Sequence, residues 1–154
     1  MSSIALLMKV SRFIPAHVKP WMYWMQVLLF ALPIFFVGHT SVQILILGQL
    51  LNGVVGYTVF VREGQKVSRL FGLGHIFWAP PMWVLAKDVF SDEWIGFRAY
   101  AAAASVTIAI SLVFDVRDWY LWLRGERESV LTGIPEGHPL EAGNPPALPV
   151  SNTM

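Results

Sequence analysis

Apolar residues in this chain come in four runs, at 21–37, 42–61, 70–86 and 94–114. Each is close to the roughly 20 residues that carry a helix across a bilayer. Backbone N–H and C=O groups inside hydrocarbon have no water to bond, so runs of this kind are driven to helix, where the bonds are internal. Only 14% of the 154 residues are charged and 55% are hydrophobic, against about 25% charge in an ordinary soluble domain. The sequence therefore predicts an all-α fold: an integral membrane bundle of four transmembrane helices, with an N-terminal interfacial helix and a disordered C-terminal tail. The divisions expected are an interfacial segment at 1–18, the transmembrane domain at 19–128 and the tail at 129–154.

The third run, with its flanks RLFGLGHIFWAPPMWVLAK, is the most unusual. It carries Gly72, Gly74 and His75, then two adjacent prolines, Pro80 and Pro81. Each proline lacks an N–H and its ring clashes with the preceding turn, so a kink is expected there. The second run is the most polar, with Gln43, Gln49, Asn52, Tyr57 and Thr58, and with Gly48, Gly53 and Gly56 for close helix approach. The first holds Gln26 and Pro33. In the fourth, Ala99, Ala103, Thr107 and Ser111 form a small-residue stripe at four-residue spacing. Its helical pattern is expected to continue to about residue 128, with Trp119, Tyr120 and Trp122 in the headgroup layer.

Basic residues predict the orientation. Lys9, Arg12 and Lys19 precede the first run, Arg62, Lys66 and Arg69 follow the second, and Arg117, Arg124 and Arg127 follow the fourth. Of the eleven Lys and Arg, only Lys87 and Arg98 remain for the other side. By the positive-inside rule both termini are cytoplasmic, in a multi-pass protein of a bacterial-type plasma membrane. An odd number of crossings would scatter these clusters over both faces. The opening MSSIALLMKVSRFIP has its charges after its apolar part, unlike a signal peptide, and reads as an interfacial helix ended by Pro15 and Pro20. The stretch from 129 onward is rich in Gly and Pro and reads as a tail.

Polar residues at membrane depth are the candidate functional groups: Gln26, Gln49, Asn52, Tyr57, His75, Arg98, Ser111 and Asp115. His75 lies five residues, roughly 8 Å of helix, inside its run. Counting from the run ends puts Gln26, Tyr57, Ser111 and Asp115 at similar depth, so these five are expected to converge. A histidine beside an acid passes protons or senses pH; a neutral one bonded to Tyr57 or a hydroxyl would only fix helix register. Arg98, four residues inside the outer end, is expected to snorkel toward Asp88, Asp92 or Glu93, with Gln43 or Gln49 as its inward alternative.

Several functions are disfavoured. Net charge of +1 gives no pull toward nucleic acid, and the absence of cysteine excludes disulfides and thiolate metal sites. No metal-ligand spacing or catalytic signature such as G-x-S-x-G, H-E-x-x-H or a P-loop occurs, so neither metal nor cofactor is expected. The favoured function is a non-enzymatic subunit or regulator within a membrane assembly, its partners the bilayer and either copies of itself or other membrane subunits. The alternative is a small oligomeric channel or proton-linked transporter. An intramembrane enzyme acting on lipid or quinone ranks third.

Overall fold

A computed structural model describes residues 3–126, 129–134 and 140. The described residues are helical with no strand, and among them two helices are long and apolar enough to cross a membrane. The α-helices among the described residues are α1 (Ser3–Lys9), α2 (Lys19–Gln26), α3 (Thr40–Arg62), α4 (Ala79–Asp88) and α5 (Ile95–Leu123). The two long ones, α3 and α5, coincide with the second and fourth apolar runs.

The first and third runs are helical but broken. After α2 the first run becomes a π-helix at Val27–Ala31 and then a 3-10 helix at Leu32–Phe36. Pro33 sits at the start of that 3-10 turn and cannot donate to the carbonyl of Leu29, so the α pattern fails there. The third run is a 3-10 helix over Arg69–Trp78 followed by α4. Pro80 and Pro81 fall in the first turn of α4, where a missing N–H is tolerated. The change of helix type just before them takes up the missing donors: Ala79 N–H bonds the Ile76 carbonyl in 3-10 fashion.

Both long helices end at glycines. Gly64 has φ of 71° and Gly125 has φ of 100°, a conformation that strains other residues. Beyond them the Gln65 N–H reaches the Phe60 carbonyl at 2.8 Å and the Glu126 N–H reaches the Leu121 carbonyl at 3.1 Å. Gly125 thus stops α5 at Leu123, short of the expected residue 128.

Two apolar cores result. The larger joins Leu28 and Leu29, Val42 and Leu45 of α3, Trp78, Leu85 of α4, and Phe97, Ala101, Ala104 and Ile108 of α5. The smaller lies at the end where α3 finishes. There Leu6 and Val10 pack against Phe60, Val67, Leu131 and Leu140. The expected tail therefore begins as a docked segment: Val130 N–H bonds the Val67 carbonyl and Thr132 N–H bonds the Phe13 carbonyl, both at 2.9 Å. Composition favours disorder here, but Leu131 and Ile134 pack against the cluster of Leu6, Val10, Phe60 and Val67. The remainder of the tail, at 135–139 and 141–154, lies outside the described residues. At the opposite end His39 stacks on Phe97 with ring centroids 3.6 Å apart, and Phe36 on Tyr100 at 4.7 Å.

Candidate functional site: a histidine–aspartate pair beside a cavity

The site is built where α3 meets the 3-10 helix at 69–78. An α-helix rises about 1.5 Å per residue and a 3-10 helix about 2.0 Å. Four residues of one therefore match three of the other, about 6 Å in each case. The contacts follow that register. Gly48 lies under the Phe77 carbonyl, where a Cβ would sit 2.7 Å from the oxygen. Asn52 faces Gly74, and Gly56 faces the Phe71 ring at 3.6 Å. The steps are four along α3 and three along its antiparallel neighbour.

The same 3-10 geometry places residues i and i+3 over one another. His75 and Trp78 accordingly stack, with centroids 4.0 Å apart and planes 19° from parallel. Trp78 is buried and donates its indole N–H to Gln49 Oε1 at 3.0 Å. Gln49 in turn donates Nε2 to the Leu29 carbonyl at 3.3 Å. That carbonyl is the one Pro33 leaves without an α-helical donor. An amide of the second run thus serves a backbone group freed in the first, as buried polar groups require.

His75 Nδ1 lies 2.8 Å from Asp115 Oδ2 of α5. Both side chains are largely shielded, at 22% and 11% exposure. Gly72 gives the Asp115 carboxylate its room: any Cβ there would collide with it. Gly74 does the same for Asn52, whose carbonyl would stand 2.7 Å from an added Cβ. The motif Gly72-Leu73-Gly74-His75 therefore lets a histidine meet an acid of α5 while the glycine before it admits Asn52 of α3. A carboxylate at Nδ1 favours the tautomer with its proton there, leaving Nε2 as acceptor in the neutral ring and donor in the charged one.

A cavity of about 510 Å³ adjoins this pair. Met22, Met25 and Phe30 form one wall, Trp78 another, and Gln26, Asn52 and His75 supply its polar groups. Two contacts pin α2 to α5 beside it: Trp24 Nε1–H to Thr107 Oγ1 at 3.0 Å, and Ser111 Oγ–H to Met25 Sδ at 3.1 Å. Thr107 and Ser111 belong to the small-residue stripe, so its inner half receives the first run of the same chain.

Of the five residues expected to converge, His75 and Asp115 bond directly, Gln26 lines the cavity, and Ser111 holds its wall; Asn52, a candidate outside that set, lines the cavity as well. Gln49 sits one residue behind, bonded to Trp78. Tyr57 does not join them. It is exposed on the outer face of α3, because depth along a helix says nothing about rotation around it. Arg98 also lies elsewhere, donating Nε–H to the Val89 carbonyl at 2.8 Å beyond the end of α4. Asp118, one turn after Asp115, pairs with Arg69 Nη1 at 2.9 Å, so two acids of α5 grip the 3-10 helix at two points. Trp78, Met22, Met25 and Phe30 were not marked by sequence reasoning. Only the three-residue spacing of His75 and Trp78 after two glycines could have signalled the stack. No group of three or more potential metal ligands occurs among the described residues. Comparison of the chain with known protein families, with curated proteins and with solved structures finds no match.

Proposed function

We propose that this chain is a non-enzymatic integral membrane protein that crosses a bacterial-type plasma membrane four times, with both termini cytoplasmic, and serves as a subunit or regulator in a membrane assembly. The observation that carries the reading is the outward apolar surface. Of the most apolar window of α3 only 33% is buried, and of α5 only 39%. The core helix of a soluble protein would be buried on most of its circumference. Here Leu47, Leu50, Leu51 and Val54 of α3, and Val106, Ile110, Val113 and Phe114 of α5, face outward. Contiguous apolar surface of this extent marks contact with lipid or protein.

Broken runs are compatible with crossing. At the rises of 3-10 and α-helix, Arg69–Asp88 extends about 35 Å, enough for a hydrocarbon layer of about 30 Å. Support for an assembly comes from the outer face of α3. Gly53 has open space around it and Tyr57 is exposed nearby. A small residue beside a phenol on a lipid-facing helix suits a neighbouring helix.

The chain has no cysteine, so single cysteines report topology cleanly. Residues 65 and 124 should label from the cytoplasmic side, and 38 and 91 from the other. Labelling of 38 and 65 from one side would sink the four-crossing reading. Native mass spectrometry of detergent-solubilised protein should find a defined oligomer or a partner complex, dispersed by Gly53→Leu. A monomer with no partner, unchanged by that substitution, would sink the assembly reading.

The second reading, a proton-linked channel or transporter, is favoured by the His75–Asp115 pair beside a cavity. Reconstituted protein should then carry a proton flux that His75→Ala and Asn52→Leu abolish. Equal flux in wild type and variants would remove it.

A further inference from the structure

A second cavity, of about 300 Å³, lies between the first run and α3. Phe30 lines both it and the cavity beside His75. The second is walled by Leu29, Pro33, Ile34, Ile46 and Leu50, with Gln49 the polar member among the described residues and that amide already committed to Leu29 and Trp78. The first cavity thus carries polar groups and the second is apolar, and Phe30, Ile34 and Leu50 are exposed.

The first cavity has unused hydrogen-bonding capacity. Among the described residues the side-chain amides of Gln26 and Asn52 have no hydrogen-bond partner, and Nε2 of His75 has none. Charge narrows the occupant. Among the described residues no Lys or Arg lines either cavity, so a phosphate or carboxylate head would be desolvated without a counter-charge. The His75 ring that lines the cavity is already paired, through Nδ1, with the Asp115 carboxylate. Shape narrows it again. Phe30 offers an exposed ring and Met22 and Met25 polarizable thioethers, which suit a flat ring.

We propose that the two cavities form one groove that binds an isoprenoid quinone or its quinol, the ring lying beside Phe30 with its oxygens at Asn52 and His75, and the chain along Leu29, Pro33 and Ile46. The imidazole suits both forms, since Nε2 accepts from a quinol hydroxyl when neutral and donates to a quinone carbonyl when charged. The proposal is for binding alone, and it rests on the membrane placement proposed above. The combined size of the two cavities falls in the range of small-molecule sites.

The test uses the full chain in phosphatidylcholine nanodiscs, titrated with decylubiquinone and followed by tryptophan fluorescence. Saturable one-site quenching is expected. Asn52→Leu removes a hydrogen bond at the ring and should weaken binding about tenfold. Ile46→Trp should weaken it by filling the tail groove, and Gln26→Leu, at an exposed position, serves as the variant least able to disturb folding. Dodecanol and dodecyl phosphate, carrying a chain without the ring, should fail to compete. Absence of saturation in wild type, equal affinity in all three variants, or full competition by either chain would overturn the proposal. Flotation with liposomes separates the two failures. Protein that floats but does not bind loses only the quinone site, whereas protein that stays with the aqueous phase loses the membrane reading itself.

Discussion

The two long helices and the two broken runs divide the work of this molecule. Helices α3 and α5 are continuous and regular. The first and third runs change helix type within a few residues of their prolines. Yet the polar side chains that complete the site lie mostly on the regular pair: Gln49 and Asn52 on α3, Thr107, Ser111 and Asp115 on α5. The broken runs supply backbone groups in need of partners and, at His75, the ring to be held. Irregular backbone shielded from water is stable only where a neighbour brings a donor or acceptor to it, and Gln43 and Gln49 of the second run do so for the Val37 and Leu29 carbonyls.

The largest expected effect comes from removing the acid that grips the third run. Asp115→Ala leaves His75 facing an emptied, shielded position, and breaking such a pair costs about 3 kcal/mol. Denaturation in graded SDS, followed by circular dichroism, measures it. A change near zero would mean that the 3-10 helix is held by its glycine contacts alone.

The glycine contacts come next. Gly74→Ala puts a methyl 2.7 Å from the Asn52 carbonyl and 3.1 Å from its Cα. Backbone cannot yield as a side chain does, so about 2 kcal/mol of destabilisation is expected. If the variant is as stable as wild type, the four-to-three register between α3 and the 3-10 helix is wrong.

A smaller effect isolates the link between the first two runs. Gln49→Leu strands both the Trp78 N–H and the Leu29 carbonyl. Pro33→Ala gives that carbonyl an N–H of its own, so the glutamine matters less in its presence. A double-mutant cycle should show coupling of about 1 kcal/mol between the two positions. Strict additivity would mean that Gln49 serves Trp78 only.

How much of this could be read from the chain follows from what sequence encodes at each level. The runs were legible because apolar length is a one-dimensional property: α3 matches its run within two residues, and α5 starts within one residue of its run and continues past it, as expected, to Leu123. His75, Asn52 and Asp115 were legible as polar residues in or beside apolar runs. The 3-10 conformation of Arg69–Trp78 was not, since three- and four-residue spacings overlap in a stretch that is apolar all round. Without that conformation the stack of His75 on Trp78 cannot be foreseen. Tyr57 was misplaced for a related reason: it shares the depth of Gly56 but is turned about 100° from it around α3. The docked segment at 129–134 was hidden by composition, because Leu131 and Ile134 are few among glycines and prolines.

The finest contrast lies within α3 itself. Gly48 and Gly53 are five residues apart in one regular helix, and propensity treats them alike. Gly48 is buried under the Phe77 carbonyl, with Pro81 Cγ 3.5 Å from an added Cβ, while Gly53 has nothing within 4 Å. Alanine at 48 must push the third run away, and alanine at 53 meets only open space. Helix propensity favours alanine over glycine by about 1 kcal/mol, so Gly53→Ala should slightly stabilise the single chain measured apart from its partners. Gly48→Ala should lose more than that gain. The sign, rather than the size, carries the information. If both substitutions stabilise, the third run does not rest on α3 at Gly48; if both destabilise, the outer face at Gly53 is covered by a partner in the assembled protein, and the same pair measured in detergent after dissociation should recover the difference.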